Sequence, residues 1–114
     1  MAEEKKKGDA EKSIQAFNAW IDDVVNYGRK VNENFIAVDA GGSVVHSGYK
    51  LSEFKTKLDL FEKLDTIGLN SKDIEAVRAQ VLILTRQDSK DPNVGYDTDV
   101  VGETLNKLSL LRKK

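Results

Sequence analysis

The sequence predicts an α+β fold, predominantly α: a four-helix bundle-like domain with one β-hairpin, at about residues 35–48, between helices 1 and 2. Three observations carry this expectation. Apolar residues recur at spacings of three and four in four separate stretches, which places one apolar stripe on one face of each helix. A fifth stretch breaks that period with alternation around Gly41-Gly42. With 114 residues, the chain matches one domain able to bury a core without disulfides or a metal.

The first helix is placed from about 11 to 31 by Ile14, Phe17, Ile21, Val24, Gly28 and Val31, with Asp9 or Ser13 as its cap. Trp20, Val25 and Tyr27 flank this stripe and widen it beyond a coiled-coil seam. Residues 1–10 carry Glu3, Glu4, Lys5, Lys6 and Lys7 without apolar periodicity, so they are expected to form a disordered charged tail ahead of a single domain at 11–112. In the hairpin, a two-residue loop at Gly41-Gly42 pairs Val38 with Val45 and Ile36 with Ser47. Its opposite face receives Phe35, Ala37, Asp39, Val44 and His46.

Helix 2, with Leu51, Phe54, Leu58 and Phe61, should start at Ser52 as N-cap and stop at Gly68 in a left-handed cap. Asn70 then caps helix 3, and Leu69 and Ile74 stand at the two positions of a hydrophobic staple. Helix 3 combines Ile74, Val77, Val81 and Leu84 with a consecutive run from Val81 to Leu84, which predicts that it is the central element. Gln87 to Tyr96 holds Pro92, Asn93 and Gly95 and is a loop. Helix 4 follows from about Thr98 to Leu111 on Val101, Leu105 and Leu108.

Composition narrows the chemistry. Cysteine is absent, which excludes disulfide frameworks, thiolate zinc sites and cysteine nucleophiles and fits a reducing interior. No apolar run approaches the roughly 20 residues of a membrane helix, and the charged N-terminus has no leader pattern. The expectation is a cytoplasmic protein without membrane contact. Net charge is −1 with 32% charged residues, so a strongly basic footprint is missing. Acids at residues 88–99 and bases at 100–114 are expected from helix-dipole complementarity, with a small anionic-partner patch at the C-terminus as the alternative.

Three segments invite a reaction-centre interpretation. Phe35 to Ser43, with Asp39, Gly41, Gly42 and Ser43, resembles the first phosphate loop of the sugar kinase and actin-like ATPase superfamily. That resemblance implies a strand, a nucleotide phosphate at backbone N–H groups and a second lobe, and 114 residues do not supply the lobe. Asp91 to Asp97 starts like a calcium loop, but its fifth position is Gly95, its sixth Tyr96 and its twelfth Gly102, so a solvated turn capping helix 4 is expected. His46, the only histidine, lies diagonally across the expected hairpin from Asp39; a small hydrolytic enzyme centred on it is the third-ranked function. No cofactor and no metal are expected, and Asp22-Asp23 and Asp73-Glu75 read as solvated charges.

The leading functional expectation is a non-enzymatic protein-binding, adaptor or regulatory module acting through helix faces and the hairpin. Tyr49, Tyr96, Phe35 and His46 are its candidate partner-binding residues, because aromatic anchors concentrate at interface centres. Trp20 is expected to complete the core. Leu60, Val25 and Leu110 are candidate homodimer contacts. The alternative is a small helical double-stranded-DNA-binding protein using Lys50, Lys57, Lys72, Arg86, Arg112, Lys113 and Lys114 on phosphates. Gly68 to Asp88 and the start of helix 4 are similar to short helical double-stranded-DNA-binding proteins of phages and bacteria. Seven bases against six acids over residues 49–87 predict weak affinity unless the bases segregate to one face.

Overall fold

A computed structural model describes residues 2–39, 48–87 and 95–113, with side chains from residue 9 to 36 in the first of these segments. The described residues form four helices and no strand: α1 (Ala2–Asp39), α2 (Leu51–Asp59, prolonged by a 3-10 turn at Leu60–Lys63), α3 (Ser71–Thr85) and α4 (Thr98–Leu110). The α+β expectation is thereby corrected: the described residues are all-helical. The first half of the expected hairpin is the end of α1, and its turn and second strand, residues 40–47, lie outside the described residues. The helical period explains the outcome: Phe35 stands seven residues after Gly28 and four after Val31, on the face that α1 already buries. Local β-propensity from Ile36 and Val38 yields to that packing, as weak intrinsic preferences do.

α1 is correspondingly longer than the expected 11–31 and begins at Ala2. At 1.5 Å per residue it is about 57 Å long, close to the full 60 Å extent of the molecule. Side-chain bridges fix the direction of its neighbours. Ser13 reaches the Asp65 carbonyl, Trp20 the Lys57 carbonyl and Asn34 the Tyr49 carbonyl, so α2 runs antiparallel to α1. Asn18 meets Lys113, Arg29 meets Asn106 and Asn32 meets Thr98, so α4 is antiparallel to α1 as well. Arg78 pairs with Glu62 across α2 and α3, and Gln87 accepts from the Asp97 N–H at the start of α4. The four helices therefore alternate in direction around a common core, an up-down-up-down bundle.

The stripes read from the sequence supply that core. Phe17, Ile21, Val24 and Val31 from α1, Phe54, Leu58 and Phe61 from α2 and its extension, Val77 and Leu84 from α3, and Val101, Leu105 and Leu108 from α4 are all buried. Trp20 completes the core beside Phe17 and Phe61, and its indole N–H donates to the Lys57 carbonyl at 2.8 Å, as a buried indole requires. Val25, a candidate surface contact, is buried here too.

Capping divides the expectations. Asn70 caps α3 by accepting the Asp73 N–H at 2.8 Å, and Asp97 caps α4 by accepting from Asp99 and Val100. α2, in contrast, starts at Leu51 after Lys50, with no side-chain cap, and its extension ends at Lys63 instead of reaching Gly68. Gly68 is not in a left-handed conformation; Gly95 (φ 69°) alone is, among the described residues. The reason for a glycine at 68 is close approach, since a Cβ there would lie 2.5 Å from the Ala10 carbonyl of α1.

Candidate functional site

α3 carries apolar residues on two faces. Ile74, Val77, Val81 and Leu84 point inward, but Leu82 and Ile83 are 51% and 38% exposed, with Ala79 exposed one turn before them. The expectation that α3 is the central element does not hold: its buried side chains are Val77 and Leu84 alone, whereas α1 buries Phe17, Trp20, Ile21, Val24, Val25 and Val31. Leu82 also borders an open groove of about 330 Å³ between α2 and α3, lined by Leu58, Asp59, Glu62, Arg78, Val81 and Thr85. Arg78 spans this groove, donating from Nε and Nη2 to both Glu62 oxygens at 3.2 Å.

The aromatic residues expected as partner anchors are partly buried and pack against the bundle. Phe35 and Tyr96 are brought together at one end, stacked at 3.8 Å with their planes 15° apart. Tyr96 donates its hydroxyl to Asn32 Oδ1 at 2.9 Å, and Asn32 in turn donates from Nδ2 to the Thr98 carbonyl. Burial raises the Tyr96 phenol above its ordinary value. Tyr49 stands apart from that pair, its ring 4.9 Å from Tyr27. Tyr27 donates to Glu53 and accepts the Lys50 N–H, and its phenol is raised first by burial and next by the Glu53 hydrogen bond. His46 lies outside the described residues, and its expected partner Asp39 is the last residue of α1. The strand that a phosphate loop would need at residues 35–38 is helix.

Three of the candidate DNA-contacting bases pair with acids at different helix seams. Lys57 pairs with Asp23 of α1 at 2.9 Å and stands 5.1 Å from the centre of the Tyr27 ring. Arg112 pairs with Asp22 of α1 at 3.0 Å, and Lys113 pairs with Asp73 of α3. Lys50 precedes α2, Lys72 stands in the first turn of α3 and Arg86 just past its last turn. Lys114 lies outside the described residues. No group of three or more acidic or histidine side chains able to hold a metal ion occurs among the described residues, and no described helix is long and apolar enough to cross a membrane.

Sequence reasoning missed the outward stripe of α3, formed by Glu75, Ala79, Leu82 and Arg86 with Ile83 at its flank. The signal was present. Four consecutive apolar residues cannot all fall within one helical stripe, so the run from Val81 to Leu84 already announces a second apolar face. Comparison with protein-family models, with curated proteins and with solved structures found no match to this chain.

Proposed function

We propose that this chain is a non-enzymatic protein-binding module whose docking surface is the outward face of α3 with the adjoining groove. The observation that supports it is the exposure of Leu82 and Ile83 on a helix whose opposite face already fills the core. Isolated exposed apolar residues are common on proteins, but adjacent ones beside an apolar groove mark interaction surfaces. Helix-in-groove docking uses such a surface, with anchors spaced three and four residues apart.

The test places a photo-crosslinking side chain at Ala79 in the source cell. A discrete protein adduct that disappears in the Leu82→Asp background supports the reading. Absence of an adduct, or one indifferent to Leu82→Asp, overturns it. Leu82 is half exposed, so the change should alter stability by only about 0.5 kcal/mol, and an unchanged thermal transition verifies that the bundle is intact.

A further inference from the structure

The outward stripe of α3 carries a pattern that goes beyond general stickiness. Glu75, Ala79, Leu82 and Arg86 are spaced four, three and four residues apart, so at 100° per residue they form one narrow stripe. All four are exposed, and Glu75 and Arg86 make no ion pair among the described residues. The stripe is ordered acid, small, large, base. Read in the opposite direction it becomes base, large, small, acid, which is its own complement.

The geometry points to a second copy of this chain as the occupant of this face, docked through antiparallel packing of α3 on α3 about a two-fold axis. This rests on the reading of the outward face of α3 as a docking surface. An axis crossing the helix at the level between Gln80 and Val81 sets Ala79 opposite Leu82 of the second copy, so a large side chain meets a small one twice. The same axis sets Glu75 opposite Arg86 of the second copy, again twice. One register thus satisfies size and charge together, as an isologous contact demands. Spacings of four and three are those of a helix–helix seam packed knobs into holes.

The flanks agree with this arrangement. A two-fold axis perpendicular to two antiparallel helices brings like flanks together, so Ile83 of each copy extends the apolar seam on one side. Arg78 of each copy comes to the other side, where like charges would repel. There each guanidinium is held by Glu62 of its own chain through two hydrogen bonds, so the cost of that approach is reduced. The contact is short, about 16 Å of helix from Glu75 to Arg86, which places it among weak, concentration-dependent associations.

Light scattering coupled to size exclusion, or equilibrium sedimentation, across micromolar to millimolar protein tests the inference. The mass should rise from 12.7 kDa towards twice that value. Glu75→Arg and Arg86→Glu should each weaken the dimer about tenfold, because each change acts twice across the axis, and the double variant should restore it. Leu82→Asp should abolish it. A chain that stays monomeric throughout overturns the self-association while leaving the docking surface to the crosslinking test above. A dimer indifferent to Leu82→Asp and to both charge reversals overturns the self-association through α3, and again leaves the docking surface to the crosslinking test.

Discussion

Tyr96 illustrates how much structure one polar atom can organise. Its hydroxyl donates to Asn32, whose amide also holds the first carbonyl of α4, and its ring stacks on Phe35 near the end of α1. Burial raises its phenol above the ordinary 10.0, so the folded state favours the protonated form. The sign follows from linkage: this stabilisation is complete below pH about 10 and is lost progressively as pH rises beyond it. Tyr96→Phe should therefore show a shallower loss of stability above pH 10 than the parent chain. At neutral pH the same variant should be less stable by about 1–3 kcal/mol, since Asn32, which is nearly buried, loses a donor. Urea unfolding at pH 7 and pH 11 separates the two effects; parallel alkaline losses in both proteins would remove Tyr96 as their source.

At the scale of elements, the glycines report where helices meet. A Cβ on Gly28 would lie 2.8 Å from Leu105 Cδ2 of α4 and 2.8 Å from Phe54 Cε1 and Cζ of α2. Both neighbours are fully buried and cannot withdraw. Gly28→Ala gains about 1 kcal/mol of helix propensity but incurs about 1–3 kcal/mol of overpacking, so a net loss of about 1 kcal/mol is expected. Gly102 is the control: its nearest prospective contact is Asn32 Nδ2 at 3.5 Å, an ordinary distance. Gly102→Ala should stabilise by up to about 1 kcal/mol, and equal signs for the two variants in urea unfolding would contradict this account. The inclusion of Gly28 in the first apolar stripe shows that such positions are legible in sequence, because the stripe persisted through it. The extent of α1 was not, since Ile36, Val38 and the Gly-Gly pair carry turn and strand propensity, while the Phe35–Tyr96 stack that holds the helix end joins residues 61 positions apart. The caps at Asn70 and Asp97 were readable because they depend on neighbours two or three residues away. Gly68 was misread because the group that demands a glycine there belongs to Ala10.

At the scale of the whole molecule, ion pairs stitch the seams of the bundle. Lys57 with Asp23 closes α2 on α1, Arg78 with Glu62 closes α3 on α2, and Arg112 with Asp22 ties the end of α4 to α1. Lys113 with Asp73 ties the same end to α3, and the Asn18 amide both donates to the Lys113 carbonyl and accepts its N–H. Pairs as exposed as Arg78 with Glu62 and Arg112 with Asp22 add little stability individually. Their consequence is electrostatic: each of these bases carries an acid beside it, and the bases are distributed around the bundle. Duplex DNA gains affinity from each phosphate neutralised with release of a counterion, and a base that must first part from a carboxylate contributes less. With net charge −1 there is no surplus to compensate. A titration against duplex DNA at two salt concentrations should therefore give dissociation constants weaker than about 100 μM even at low salt, outside the usual non-specific range. A constant near 1 μM that weakens steeply with salt would instead show that these cations leave their carboxylates for phosphate, and would return the lysines of α2 to α4 to the centre of the function.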